Sequence, residues 1–245
     1  MVAASDDVME SFYAGIVRAY QLILETRPDV IVIPLRGAEP LWKFIRSLAN
    51  SDRCSSELPL ACHLRLGEYH ALDGEGVYQI AGGAGFEDKE KFVREGLSRV
   101  LGRLNNPQPT VCILDEAFNG GSIVKNYALV HDYLGREWPT AEDRLFCIAI
   151  SDSRGDKTQK FKRMVESGGI VEVPVKALFT MDSPYYLYTL VKGDDDKGIV
   201  GGDRRLISRR FTGDREVRVD GLRFMENRLD VMDGLERYRK KGMIQ

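Results

Sequence analysis

The sequence has few of the residues that build metal centres, disulfide frameworks or membrane spans. Its 4 cysteines and 3 histidines are scattered and no CxxC pair is present, which argues against a zinc or disulfide framework. No apolar run approaches the ~20 residues of a membrane-spanning helix. The formal net charge of −2 gives no electrostatic basis for binding nucleic acid or an anionic membrane. The first residues lack the basic and apolar regions of a signal peptide, so we expect a cytoplasmic protein.

What is present is the pattern of an α/β protein. The 245 residues are 43% hydrophobic and 29% charged, which suits one large domain, with or without an appendage. Short apolar runs, typical of strands buried on both faces of a parallel sheet, occur at Asp29–Pro34, Val111–Leu114, Leu145–Ser151 and Ile170–Val175. Segments with helical periodicity precede the first run or lie between later ones, at Asp6–Glu25, Glu39–Ala49, Phe86–Leu104 and Lys157–Glu166. We therefore predict a central, mainly parallel sheet flanked by helices, with Cys112 and Cys147 as reduced core residues.

The stretch Pro109–Asp132 combines a predicted strand, two acids and a turn of small residues. Asp115 and Glu116 follow the apolar run, and the turn Asn119-Gly120-Gly121-Ser122 precedes a segment with helical spacing. Unsatisfied N–H groups at a helix start attract phosphate, and glycines allow its close approach. The sequence therefore predicts a phosphate site here. The alternative is an ordinary strand–loop–helix joint, in which acids and glycines are common.

A second joint of the same kind lies earlier in the chain. The predicted strand Asp29–Pro34 leads into Arg36 and Gly37, and then into a helix with Pro40 in its first turn. Ligands of such sheets bind at the carboxyl ends of the strands. We therefore expect both joints, together with the polar turn Asp152–Asp156, at one edge of the sheet. The alternative for Arg36 is an ordinary surface arginine.

The order of these features resembles the type I phosphoribosyltransferases. In that family, four apolar residues and two acids precede a phosphate loop that ends in Ser or Thr. The resemblance covers roughly residues 29–174. It implies that Asp115 and Glu116 are the catalytic acids that hold the ribose of phosphoribosyl pyrophosphate. It implies further that the substrate is bound by Arg36, Gly37, Asn119, Gly120, Gly121 and Ser122.

The function that the resemblance implies is transfer of a 5-phosphoribosyl group to a nitrogenous base or a similar acceptor, with release of pyrophosphate. Its cofactor is Mg²⁺, which takes diphosphate oxygens and needs few protein ligands, so no protein metal site is expected. The gap between the acids and the loop is one residue shorter than in the family, and Asn119 or Gly120 replaces the Thr that usually opens the loop. Both differences favour an alternative: a non-catalytic module that senses a nucleotide or phosphate and acts through a protein partner. A hydrolase is disfavoured because no G-x-S-x-G motif is present.

Two domains are expected, a core at 1–193 and a C-terminal α+β appendage at 194–245. The resemblance implies that the glycine-rich stretch near 67–85 is a flap that closes over the site; by itself the stretch predicts a long loop or a hairpin. The resemblance also implies a base-stacking aromatic residue after a late strand, and the alternative is a packing role. The candidates are Phe179, Tyr185 and Tyr186 for stacking, and Tyr69 and His70 in the flap.

The appendage mixes basic residues with acids such as Asp203 and Asp214. This mixture favours a solvated or inter-subunit face over a nucleic-acid surface. The sequence leaves the oligomeric state open, and a homo-oligomer is compatible with it.

Overall fold

The computed structural model describes residues 6–34, 38–64, 66, 71–72, 78–79, 86–178, 234–238 and 240. In chain order, its helices and strands up to the flap region are α1 (Asp6–Thr26), β1 (Val30–Pro34), α2 (Ala38–Ser51), β2 (Leu60–Leu64), β3 (Ala71–Leu72) and β4 (Tyr78–Gln79). There follow α3 (Phe86–Leu101), β5 (Val111–Ala117), α4 (Gly121–Glu137), α5 (Pro139–Glu142), β6 (Leu145–Asp152), α6 (Gln159–Glu166) and β7 (Ile170–Val175).

Five of these strands form one parallel sheet in the order β2-β1-β5-β6-β7. Helices cover both of its faces, which confirms the predicted α/β architecture. Alternate residues of a strand point to opposite faces. In β1, Ile31 and Ile33 pack with α1 and α2, whereas Val30 and Val32 pack on the side of α3 and α4. Burying each such side chain contributes about 1.5–3 kcal/mol, and this double burial explains the continuous apolar runs.

The sheet changes its winding direction between β1 and β5. From β1 the chain passes through α2 to β2 on one side, and from β5 it passes through α4 to β6 on the other. Helix α2 belongs to one face and α4 to the other. Such a reversal leaves a crevice outside the carboxyl ends of the two central strands, where ligands of open α/β sheets bind. Pro34 ends β1 and Ala117 ends β5 at this point.

Strands β5 and β6 are longer than the apolar runs that predict them. Strand β5 continues through Asp115 and Glu116, because these residues pair with Ala149 and Ile150 of β6. The acids therefore lie at the end of the strand, which agrees with the prediction of a buried strand that ends in acids. Strand β6 likewise includes Asp152, and helix α3 ends at Leu101, before the predicted end.

The predicted flap is described only at β3 and β4, which pair antiparallel. This is the pairing of a hairpin, one of the two alternatives that the sequence leaves open. The candidates Tyr69 and His70 lie outside the described residues. So do the boundary between residues 193 and 194 and the aromatic candidates Phe179, Tyr185 and Tyr186.

A short helical segment near the C-terminus, residues 234–238, packs against the core. Leu235 is buried in the same cluster as α1 and α2, and the rings of Tyr13 and Tyr238 lie 5.9 Å apart. The Ser51 hydroxyl donates to Glu236. Part of the predicted appendage is therefore attached to the α1–α2 face.

The described cysteines are reduced. Cys112 and Cys147 are fully buried in the sheet, as predicted, and burial raises the pKa of both thiols. Among the described helices, none has the length and hydropathy that crossing a bilayer requires.

Candidate functional site

Asp115 lies near the end of β5 and is almost completely buried, with 4% of its surface exposed. Its Oδ1 accepts a hydrogen bond from the backbone N–H of Glu116 at 2.9 Å. Its Oδ2 accepts one from the amide of Asn126 in α4 at 3.2 Å. The side chain therefore faces α4 and ties the strand to the helix that follows it.

Burial raises the pKa of Asp115 to about 7, although the hydrogen bonds from Glu116 and Asn126 lower it. Removing a carboxylate from water disfavours its charged form. At neutral pH a large share of the Asp115 carboxyl is therefore protonated. A neutral carboxyl does not repel an anionic ligand, which suits a position beside a phosphate site.

Glu116 is half-buried and follows Asp115 in the same strand. Successive side chains of a strand point to opposite faces, so Glu116 faces the side of the sheet that carries α1 and α2. The two acids thus have different surroundings. Glu116 has the larger exposed surface of the two acids, although its Oε2 is buried.

The loop between β5 and α4 has the geometry of a tight turn before a helix. The side-chain Oδ1 of Asn119 accepts a hydrogen bond from the N–H of Gly121 at 2.9 Å. Gly120 has a φ of +78°, and a Cβ at this position would overlap the ring of Phe161. Only glycine adopts this conformation without strain, and only glycine leaves room for Phe161.

Several N–H groups of this loop and of the first turn of α4 have no acceptor among the described residues. Among the described residues, no acceptor bonds the N–H groups of Asn119, Gly120, Ser122 or Ile123. The first N–H groups of a helix have no intrahelical partner, and their field attracts anions. Ser122 is exposed, so its hydroxyl is accessible as a further donor. The loop thus presents backbone donors beside two carboxyls at the point where the sheet reverses.

The loop between β6 and α6 holds the loop between β5 and α4 in place. The Lys157 ammonium donates to the carbonyl of Phe118 at 2.8 Å, and the Thr158 N–H donates to the carbonyl of Asn119 at 3.0 Å. Sequence reasoning does not identify Lys157 or Asn126 as site residues, because their partners lie far along the chain or in another element.

Asp152, the last residue of β6, fixes the conformation of the loop that follows it. It is fully buried, and both of its oxygens accept from Arg154; Oδ2 also accepts from the N–H of Leu178 at 2.9 Å. Burial alone raises its pKa, but the bonds from Arg154 and Leu178 hold that pKa below its ordinary value. Asp152 is therefore a structural carboxylate.

The structure brings the acids and the loop residues 119–122 together at one edge of the sheet. Arg36 and Gly37, predicted at the same edge, lie outside the described residues. In the described part of the chain, no group of three or more His, Cys, Asp or Glu side chains is arranged to hold a metal ion. A Mg²⁺ ion that takes most of its ligands from a diphosphate and water does not require such a group.

Ser122 and His131 both lie in α4 but are too far apart to form a nucleophile–base pair. They are nine residues apart in the helix, which at 1.5 Å per residue is roughly 13 Å. The Nε2 of His131 lies 3.4 Å from Glu142 instead. This geometry gives no support to a hydrolase built on these two residues.

A groove of about 560 Å³ lies at the opposite edge of the sheet, lined by Asp29, Leu60 and neighbouring residues. Asp29 precedes β1 and Leu60 begins β2, so the groove is at the amino-terminal ends of the strands. It is separate from the acids and the loop.

Comparison of the chain with protein-family models and with curated proteins gives no match.

Proposed function

We propose that the chain binds phosphoribosyl pyrophosphate at the β1–β5 crevice and transfers its 5-phosphoribosyl group to a nitrogenous acceptor, releasing pyrophosphate. The observation that carries this proposal is the loop 119–122. The N–H groups of Asn119, Gly120 and Ser122 have no acceptor within the described residues, and the loop follows two carboxyls at the reversal point of a parallel sheet. This combination offers separate contacts to a phosphate and to a sugar.

In this mechanism the N–H groups of Asn119, Gly120 and Ser122 bind the 5′-phosphate. Glu116, as the more accessible acid, binds the ribose hydroxyls and stabilises positive charge that develops at the anomeric carbon. Asp115 holds the β5–α4 joint through Asn126. Most of the catalysis comes from holding the two substrates in a reactive orientation.

Mg²⁺, when bound, supplies positive charge to the departing diphosphate. Glu116 would orient the ion or its waters at the end of β5. The loop N–H groups act on the other end of the substrate.

A second candidate is a module that senses a nucleotide or phosphate without turnover. The Asn119 side chain accepts from Gly121, so this bond uses a backbone donor that would otherwise face the ligand. The family's Thr would supply a hydroxyl donor at this place. Because the Gly121 N–H is used within the loop and the Thr hydroxyl is absent, the loop has fewer donors for the phosphate, which favours binding without efficient catalysis.

The test combines binding with turnover. We expect phosphoribosyl pyrophosphate with Mg²⁺ to raise the melting temperature of the wild type by mass action, and Glu116→Gln to reduce the shift. Pyrophosphate released with one member of a nucleobase panel supports the transferase, and a shift without turnover supports the sensor. No shift at millimolar ligand contradicts both proposals.

A further inference from the structure

Lys157 lies between β6 and α6, and its ammonium group is surrounded by backbone carbonyls. Its Nζ lies 2.8 Å from the carbonyl oxygen of Phe118, 2.5 Å from that of Asp152 and 3.2 Å from that of Gly155. An ammonium group has three donors, and three acceptors surround it here. The charge of Lys157 is therefore directed at the backbone and not at the crevice.

The bond to Phe118 joins this lysine to the proposed phosphate loop. Gly155 approaches the same carbonyl so closely that a Cβ would overlap it. The next carbonyl, that of Asn119, accepts from the N–H of Thr158. The loop after β6 thus holds two successive carbonyls, those of Phe118 just before the phosphate loop and of Asn119 at its start.

These two bonds also set the direction of the N–H groups on the same peptide planes. In a planar trans peptide, the C=O and N–H bonds point in opposite directions. Because the carbonyls of Phe118 and Asn119 point toward the β6–α6 loop, the N–H groups of Asn119 and Gly120 point away from it. These are two of the donors without an acceptor among the described residues.

We propose that Lys157 is a positioning residue that, through the Phe118 carbonyl, presets the phosphate loop in its anion-binding conformation. The identity of the anion rests on the proposed function. A loop that is already ordered binds its ligand without the cost of ordering. The cation also polarises the Phe118 peptide, which makes the N–H of Asn119 a stronger donor.

The test compares Lys157→Met, which removes the ammonium group but keeps an unbranched chain, with Lys160→Met on the exposed side of α6. Without ligand, we expect Lys157→Met to move the ¹H–¹⁵N resonances of Asn119 and Gly120. We also expect it to weaken binding of phosphoribosyl pyrophosphate with Mg²⁺ about tenfold. Lys160→Met removes the same charge three residues along the chain, in α6, and should change neither measurement.

A second variant, Lys157→Gln, keeps two N–H donors without the charge. It should give intermediate resonance positions and intermediate affinity, and it replaces the methionine variant if that variant does not fold. A merely structural lysine would lower the melting temperature without this graded effect on the two amides. Resonances and affinity equal to the wild type in these variants would overturn the proposal.

The two proposals fail separately. If the wild type binds neither phosphoribosyl pyrophosphate nor inorganic pyrophosphate, the proposed function fails. The ligand-free resonances of Asn119 and Gly120 in the Lys157 variants then still decide whether Lys157 sets the loop. If the wild type binds phosphoribosyl pyrophosphate but the Asn119 and Gly120 resonances of the Lys157 variants match those of the wild type, only the role of Lys157 is refuted.

Discussion

Asp115 and Glu116 are neighbours in the chain, but the strand turns them toward opposite faces of the sheet. Asp115 is buried and bonded to Asn126, so moving it toward a ligand would break a contact with α4. Glu116 is half-buried on the other face. Asp115 therefore supports the strand and helix, and in the proposed function Glu116 is the acid that contacts the ligand.

The raised pKa of Asp115 makes stability depend on pH. An acid whose pKa rises from 3.8 to about 7 on folding favours the folded state most strongly below about pH 4. That contribution is lost as the pH rises through about 7. Asp115→Asn stays uncharged at every pH. Between about pH 4 and pH 7 its free energy of unfolding should therefore rise relative to that of the wild type, by about 1.4 kcal/mol for each pH unit.

The measurement is the free energy of unfolding in urea at a series of pH values for both proteins. Asp143→Asn, at an exposed position, is the matched control and should follow the wild type. A difference between Asp115→Asn and the wild type that stays constant from pH 4 to pH 7 would contradict the buried, pKa-shifted carboxyl.

Among the loops and helices, the β5–α4 loop depends on one glycine in particular. Gly120 has a left-handed φ and lies against Phe161 of α6, whereas Gly121 is the first residue of α4. A Cβ at Gly121 would lie 3.3 Å from Asn119 Oδ1, which a small movement relieves. The two adjacent glycines therefore differ in how much they tolerate a methyl group.

We expect Gly120→Ala to lower the free energy of unfolding by about 2 kcal/mol or more, because left-handed strain and overpacking against Phe161 add together. Gly121→Ala is the control and should cost much less. Thermal and urea unfolding of the two variants measure this difference. Equal stability of the two would show that the loop does not have the described conformation.

For the molecule as a whole, the C-terminal segment bears on the stability of the core. Leu235 is 2% exposed and belongs to the cluster of α1 and α2, and a Cβ at Gly234 would overlap the ring of Tyr13. Gly234 and Tyr13 are 221 positions apart in the 245-residue chain. The α1–α2 face is thus completed by the last part of the sequence.

Leu235→Ala should therefore destabilise the protein by about 2–5 kcal/mol, the range for a buried leucine whose removal leaves a cavity. Arg237→Ala, an exposed change on the same helical segment, is the control and should be close to neutral. Urea unfolding of the full chain checks both. A neutral Leu235→Ala would mean that this segment does not contribute to the core.

The sheet could be predicted from the sequence because its strands are buried on both faces. Runs such as Asp29–Pro34 and Leu145–Ser151 have no polar alternation that would suit another structure. The pattern also predicts a strand that ends in Asp115 and Glu116, although acids are depleted in strands. Only pairing with β6, a contact between distant parts of the chain, holds them in extended conformation.

The β5–α4 loop could be predicted as a candidate site from its glycines and the acids before it. The side chains that hold this loop and strand in place could not be predicted. Asn126 is an unremarkable polar residue in a helical pattern, and Lys157 is one of several lysines near α6. Their roles depend on distances to Asp115 and Phe118. Sequence spacing does not encode these distances.

The most direct measurement of the central claim is a ¹H–¹⁵N titration of the wild type with phosphoribosyl pyrophosphate and Mg²⁺. We predict that the largest shifts occur at the amides of Asn119, Gly120, Ser122 and Ile123, at the reversal point of the sheet. Saturable shifts confined to other regions, or no shifts at millimolar ligand, would contradict a phosphate site on this loop.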